Sequence, residues 1–146
     1  MENTERNRRF WVGVASREHV QLGLSGGFAQ FSHGKPGPAK RPRQGDGILY
    51  YSAKERFGEP EPCRRFTALG TVADDQPLQV EQFPGFRPWR RQIDWRPIRE
   101  VEIAGLVPQL SFITNKARWA TPFRFGFLEI PEADFQLIAD AMEAHA

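Results

Sequence analysis

The stretch from Phe10 to Gln30 constrains the fold more than any other part of the chain. It opens with Phe10–Ala15, an uncharged segment rich in aromatic and β-branched side chains, which predicts a strand. Both sets of alternating positions in this segment are non-polar, so we expect both faces of the strand to be covered. A strand that is covered on both faces lies in the middle of a sheet.

A short helix should follow this strand directly. Ser16 is a typical N-cap residue, and Glu18 lies in the first turn, where the helix dipole favours a negative charge. The pair Gly26-Gly27 is a typical helix stop. Phe28 and Gln30 come just after this stop. The sequence therefore predicts that an aromatic ring and an amide are held in a fixed place after the first helix.

The rest of the chain consists of short apolar runs between turns. With 13 glycines and 12 prolines, the elements should be short and the loops many. The further predicted strands are 48–52, 66–73, 89–95, 101–103 and 123–130, with loops at 32–44 and 54–65. A helix begins at Pro131, and its apolar stripe is Phe135, Ile138, Ala139 and Met142. Because strands and helices do not alternate regularly, we expect an α+β fold, a mixed β barrel of about six strands with a few short helices and a C-terminal helix.

Composition limits the class of protein. The 20 Lys and Arg residues nearly balance the 18 Asp and Glu residues, but the basic residues cluster at 35–43, 64–65 and 87–99. The single cysteine, Cys63, excludes an internal disulfide framework and a multi-cysteine zinc site. There is no apolar run near the length of about 18 residues that a membrane helix needs, and no signal peptide. We expect a cytoplasmic monomer with no membrane association, in which residues 1–8 are loose and 9–146 form one domain.

The sequence shows no signature of an enzyme. It lacks the G-x-S-x-G, zinc-deaminase, P-loop and glycine-rich dinucleotide motifs. His19 and His33 have no carboxylate or cysteine at metal-ligand spacing, and Cys63 has no recognisable partner base. We therefore expect a protein with no catalytic residue, no metal and no cofactor.

Several segments, taken in order, resemble the EVE domain. They are 11–16, 26–30, 45–52, 66–72, 89–95, 110–113 and 123–126 with the helix that follows. The EVE domain is a member of the PUA-like superfamily and is related to the YTH and ASCH domains. The resemblance runs from about Arg9 to the C-terminus. It implies a mixed β pseudo-barrel with a pocket for a modified base in RNA or DNA.

The resemblance also implies site residues. Phe28 falls where the relatives place one wall of an aromatic cage, and Trp89 or Trp95 falls near the second wall. Because Asp94-Trp95 matches an aspartate–tryptophan pair that the relatives share, Trp89 is the better candidate for that wall. The implied base-binding residues are Ser16, Arg17, Phe28, Gln30, Tyr51 and Trp89. The implied contacts to the nucleic-acid backbone are Lys40, Arg41, Arg43, Arg90 and Arg91.

A base preference follows from the same comparison. YTH relatives usually have tryptophan where this chain has Phe28, and the smaller ring suits a pyrimidine. The amide of Gln30 can both donate and accept hydrogen bonds at the edge of a base. Modified cytosine is therefore favoured over N6-methyladenine.

Plainer interpretations stay open for most of these residues. Large aromatic residues such as Phe28 and Trp89 also fill protein cores, and the basic loop 35–43, taken without the resemblance, is more typical of a solvated surface than of a phosphate-binding one. Tyr50 and Tyr51 alternate, so only one of them can face a pocket. Arg124, on the predicted 123–130 strand, would be partly buried and paired. The alternative functions are a nucleoside sensor or a protein-interaction module and, with less support, an enzyme that modifies RNA or DNA.

Overall fold

A computed structural model describes residues 7–143, so of the predicted loose segment 1–8 only Asn7 and Arg8 lie within the described residues. This part of the chain forms one curled mixed sheet with a few helices, which confirms the predicted α+β fold. Its eight strands are β1 (Phe10–Val14), β2 (Phe28–Ala29), β3 (Gly47–Lys54), β4 (Pro62–Val72), β5 (Leu78–Gln79), β6 (Trp89–Trp95), β7 (Val101–Glu102) and β8 (Phe127–Ile130). The strands outnumber the predicted six because β2 and β5, with two residues each, are too short to leave a sequence pattern.

The strands are ordered β2-β6-β4-β3-β1-β8 across the sheet, with β5 added to β6 and β7 added to β4. The β1–β3 pair is parallel, and the other pairs are antiparallel. Among the described residues the α-helices are α1 (Arg17–Gly26), α2 (Pro36–Lys40) and α3 (Glu132–Glu143). Short 3-10 turns fill much of the segment between β7 and β8. None of the helices described within residues 7–143 is long and apolar enough to span a bilayer.

Strand β1 lies in the interior of the sheet, as its sequence predicts. It pairs with β3 on one side and with β8 on the other. Phe10 and Val12 pack into one core cluster, and Trp11 packs into a second cluster on the opposite face. The Trp11 Nε1–H donates to Asp46 Oδ2 over 2.9 Å, so the only polar atom of this buried indole is satisfied.

Helix α1 begins and ends where predicted. The Ser16 Oγ accepts a hydrogen bond from the His19 backbone N–H over 3.2 Å, and Gly27 ends the helix with a φ of 71°. Gly23 is buried, and only glycine fits there because a Cβ would lie 2.4 Å from the carbonyl oxygen of Phe28. This close approach sets the path by which the chain leaves α1 and enters β2.

Helix α3 covers one core cluster. Its predicted stripe of Phe135, Ile138, Ala139 and Met142 is buried throughout. The Asp134 carboxylate accepts hydrogen bonds from the Ser111 N–H and Oγ–H and from the Phe112 N–H, which ties the helix to the preceding 3-10 segments.

Two predicted elements are wrong in detail. Residues 121–125 form a 3-10 turn, and the last strand begins only at Phe127, because Gly126 adopts a φ of 76° that no strand can continue through. Within the predicted loop 32–44, Pro36 starts the short helix α2, since proline suits the first turn of a helix. As a consequence Arg124 is exposed, and not partly buried and paired as its predicted strand position implied.

Candidate functional site

A cleft of about 550 Å³ opens at the carboxyl ends of the parallel strands β1 and β3. We call it the β1–β3 cleft. Its lining includes hydroxyl, imidazole and amide side chains and an aromatic ring, those of Ser16, His19, Gln30, Ser32, His33 and Phe57. They come from α1, the segment after β2, and the loop between β3 and β4. Its volume is typical of a site for a small molecule or a single nucleotide unit.

A strained turn forms one side of the cleft. Ser32, His33 and Gly34 have successive positive φ values of 49°, 61° and 80°. Such angles are costly for residues other than glycine, and they cluster at functional sites. Gly34 is required at its position because a Cβ there would lie 2.3 Å from the Cβ of Pro88. The turn is therefore held in one conformation by its packing.

An exposed aromatic ring lies in the same cleft. Phe57 is 80% exposed, although it is a large apolar residue. Its ring meets the His33 imidazole edge-on, with 5.7 Å between the ring centroids. An exposed ring beside a cavity is a suitable platform for stacking a flat ligand.

Gln30 supplies a positioned amide. Its backbone is held on both sides by Tyr50, whose hydroxyl accepts from the Gln30 N–H over 3.0 Å and donates to the Gln30 carbonyl over 2.7 Å. The Gln30 Oε1 accepts from an Arg90 N–H. Gln30 is 4% exposed and lines the cleft, and its amide NH2 group makes no hydrogen bond to any residue in 7–143, so its two donors are not used by the protein.

His19 is neutral at physiological pH. Burial lowers the pKa of its imidazole below the usual value of 6.5, and a hydrogen bond to the Gln30 backbone acts in the opposite direction. A neutral imidazole carries one donor and one acceptor nitrogen. The cleft therefore combines amide donors with an imidazole that has acceptor capacity.

Comparisons with known proteins agree with this architecture. The model of the EVE domain matches residues 9–141. A UPF0310 protein from Mycolicibacterium vanbaalenii is 45% identical over 132 residues, which cover 90% of this chain and 91% of that protein. A UPF0310 protein from Bacillus licheniformis is 47% identical over 127 residues, with 87% and 86% covered. The chain belongs to the EVE domain family.

The fold of this EVE domain is similar to that of YTH domains. The YTH domain of Zygosaccharomyces rouxii MRB1, solved in complex with N6-methyladenosine RNA, matches with a TM-score of 0.60 at 19% identity. The match covers 99% of this chain and 92% of that one. The family resemblance inferred from the sequence is thus confirmed, and so is the YTH-like fold.

This EVE domain brings together only part of the base-binding set implied by the sequence. Ser16 and Gln30 line the β1–β3 cleft. Arg17 lies outside it, because its guanidinium donates two hydrogen bonds to the Glu100 carboxylate, at 2.9 and 3.0 Å. That hydrogen bonding raises the pKa of Arg17 despite partial burial. Tyr51 packs into the core cluster that contains Phe10, on the other face of the sheet from Tyr50.

Neither of the two implied cage walls lines the cleft. The Arg90 guanidinium lies 3.7 Å from the centroid of the Phe28 ring, and Gly26 packs so closely against the same ring that a Cβ there would be 2.5 Å from it. Trp89 is half-buried, and the Lys40 ammonium lies 6.0 Å from the centroid of its ring. In this EVE domain both rings already have internal partners.

Most of the implied backbone-binding cations are also engaged internally. Arg91 is 1% exposed, and its guanidinium donates to the Asp74 carboxylate and to the carbonyls of Ala39 and Pro42. Arg41 lies over the Trp11 ring at 5.0 Å. Arg43 is exposed, and its side chain contacts no charged group among residues 7–143.

The sequence reasoning did not select His19, Ser32, His33 or Phe57 as site residues. One signal was available for His19, because it lies three positions after Ser16 and so shares a helix face with it. Ser32 and His33 have positive φ angles directly before Gly34, which packs against the distant Pro88, and no local pattern reveals that contact.

Proposed function

We propose that this protein binds a modified nucleobase of RNA or DNA in the β1–β3 cleft and performs no chemistry on it. The observation that carries the proposal is the presence, in one cleft, of an exposed stacking ring, Phe57, and of the hydrogen-bonding groups of Gln30 and His19. The YTH-like fold supports it, since a domain of that fold was solved with N6-methyladenosine RNA.

The cleft has the parts that such recognition requires. Stacking of a base on an aromatic ring such as Phe57 contributes about 1–3 kcal/mol. Apolar side chains of Val14, Ala15 and Ala53 also line the cleft. A methyl group that fills an apolar slot of this kind adds about 1–3 kcal/mol of discrimination.

The hydrogen-bonding groups favour a modified cytosine. The Watson–Crick edge of cytosine carries two neighbouring acceptors, O2 and N3, beside the N4 amino donor. The free NH2 group of Gln30 matches the acceptors, and the acceptor nitrogen of neutral His19 matches the amino group. The edge of N6-methyladenine has one acceptor, N1, beside its donor. Phe57, like Phe28, is also smaller than tryptophan and suits a single ring.

The candidate reactive groups support binding without catalysis. Burial, reinforced by nearby Glu55 and Glu100, raises the pKa of the Cys63 thiol to about 11, so the nucleophilic thiolate is scarce at neutral pH. The Asp74 carboxylate accepts from Arg91 Nε and from the Gln92 N–H, which leaves it in a structural role.

The test is a binding panel at one fixed salt concentration. It compares cytidine, 5-methylcytidine, 5-hydroxymethylcytidine, adenosine and N6-methyladenosine, each free, within a single-stranded oligonucleotide and within a duplex. We expect the 5-modified cytosines to bind best, and single strands to bind more tightly than duplexes, because flipping a base out of a duplex costs a few kcal/mol. Preferential binding of N6-methyladenine would overturn the choice of base. Equal binding of modified and plain bases would overturn the reader function.

A matched pair of variants locates the site. Phe57→Ala should lower the affinity for the preferred nucleoside. Phe83→Ala is the matched control, because Phe83 is also exposed but lies outside the cleft, where it stacks on Phe86 in the β5–β6 hairpin, so its loss should leave the affinity unchanged. A free nucleoside that binds as tightly as the oligonucleotide at every salt concentration would instead identify a nucleoside sensor.

A further inference from the structure

A second concavity adjoins the β1–β3 cleft. It has a volume of about 700 Å³ and shares the lining residues Val14 and Ala53 with the cleft, so the two adjoin at the ends of β1 and β3. Arg64, Arg118 and Arg124 line it, and we call it the arginine groove. We propose that the arginine groove binds the sugar-phosphate backbone next to the base held in the cleft. This inference rests on the proposed function.

The three arginines of the groove are available to a ligand. All three are exposed, and within the described part of the chain none of their guanidinium groups forms a hydrogen bond or an ion pair. A guanidinium has a planar set of donors that matches the geometry of a phosphate. Three such groups around one concavity make a local positive potential that attracts a polyanion, although the net charge of the chain is only +2.

The fold holds each arginine on a defined piece of backbone. Arg64 lies at the irregularity in the β3–β4 pairing and has a φ of 56°, a strained conformation that redirects its side chain. Arg118 belongs to a 3-10 turn capped by the Asn115 side chain, which accepts from the Arg118 N–H. Arg124 belongs to the next 3-10 turn, Thr121–Phe125.

Rigid aromatic packing supports the groove from below. Tyr51 stacks on Phe123 with 4.3 Å between the ring centroids, and it meets Trp119 edge-on at 6.3 Å. All three rings line the groove. A pre-organised surface loses little conformational freedom when a strand binds to it.

An exposed ring whose two chain neighbours line the groove and the cleft favours a nucleic-acid strand over an isolated phosphate. Phe125 is 76% exposed and stacks on no other ring among residues 7–143. In the chain it lies between Arg124, which lines the groove, and Gly126, which lines the cleft. A ring in this position can stack on the base that neighbours the recognised one.

The test compares two double variants that remove the same charge. Arg118→Gln/Arg124→Gln alters the groove, and Arg87→Gln/Arg99→Gln is the control, because Arg87 and Arg99 are exposed and line neither concavity. The ligands are a single-stranded heptamer with a central 5-methylcytosine, its unmodified counterpart, and free 5-methylcytidine. Affinities are measured over a range of salt concentrations.

We expect the groove variant to bind both heptamers roughly tenfold more weakly and to flatten the slope of log affinity against log salt by about 1, with little change for the control. Its affinity for free 5-methylcytidine and its preference for the modified heptamer should be retained. Phe125→Ala should weaken binding of the heptamer but not of one with abasic sites beside the modified base. Equal heptamer affinity and slope in the groove and control variants would overturn the proposal. A wild type that ignores the modification would instead refute the reader function, and the salt slopes would still decide the role of the groove.

Discussion

Basic and aromatic residues meet in two regions of this protein, and they behave differently in each. On β6 and the segments beside it, the cations are already bound to the protein. Arg90 covers the Phe28 ring, Arg41 covers the Trp11 ring, and Arg91 is buried. Around the ends of β1 and β3, the arginines Arg64, Arg118 and Arg124 are exposed to solvent.

In the region around the ends of β1 and β3, the exposed aromatic rings and the arginine guanidinium groups that the structure describes do not stack on each other. Phe57 and Phe125 are exposed, and Arg64, Arg118 and Arg124 have no charged partner within residues 7–143. The donors of Arg91 are used by the Asp74 carboxylate and by backbone carbonyls, so they cannot also bind a phosphate. A guanidinium that stacks on a ring, as Arg90 and Arg41 do, keeps its N–H donors but has its position set by that ring. Clustering of basic residues in the sequence is therefore a weaker guide to a nucleic-acid surface than the absence of internal partners.

The largest expected effect is on the free energy of unfolding, when the buried, hydrogen-bonded Arg91 is compared with the exposed Arg124. Arg91→Met leaves the Asp74 carboxylate and the carbonyls of Ala39 and Pro42 without their buried partner, and should lower the free energy of unfolding by about 3–5 kcal/mol. Arg124→Gln should change it by less than about 0.5 kcal/mol. Chemical denaturation measures both. If Arg91→Met kept full stability and lost affinity for oligonucleotides, the division between the two regions would be broken.

The next largest effect separates ligand affinity from stability and concerns Phe57 and Phe28. Phe57→Ala should weaken binding of the preferred nucleoside by about 1–3 kcal/mol with little change in melting temperature, because the ring is 80% exposed. Phe28→Ala should mainly lower the melting temperature, since its ring packs against Arg90 and Gly26. Calorimetric titration and thermal unfolding of both variants make the comparison. If Phe28→Ala lost affinity without loss of stability and Phe57→Ala did not lose affinity, Phe28 would be the ring that stacks on the base.

The smallest effect concerns the protonation of His19. Because its pKa is lowered by burial, the unfolded chain takes up a proton as the pH falls through 6.5 while the folded protein does not, so stability decreases in that range. Protonation also removes the acceptor nitrogen proposed to meet the base. Affinity for 5-methylcytidine should therefore fall, by roughly tenfold or less, as the pH drops through the lowered pKa of His19 in the folded protein, below 6.5.

A glutamine at position 19 provides the control. His19→Gln removes the titrating group and keeps one acceptor, so its affinity should vary little with pH over the same range. A wild type and a His19→Gln variant with the same pH dependence would rule out His19 as the titrating group.

Local sequence determined a large part of the fold. Strand β1, the Ser16 cap, the Gly27 stop and the stripe of α3 depend on period, capping and backbone preference within a few residues, and all of these can be recognised in one sequence. The family resemblance depends on the order of such segments. It placed Ser16 and Gln30 in the set of site residues, and both line the cleft.

Tertiary structure decided which aromatic and basic side chains face a ligand. Phe28 follows Gly27 and Phe57 precedes Gly58, yet the Arg90 guanidinium covers the Phe28 ring while the Phe57 ring is 80% exposed. That difference depends on the pairing of β2 with β6, which places Phe28 opposite Gln92 and beside Arg90. The strained turn that contains Ser32 and His33 likewise ends at Gly34, which packs against Pro88, more than fifty residues away. Contacts between distant segments set exposure and strain, and no local pattern records them.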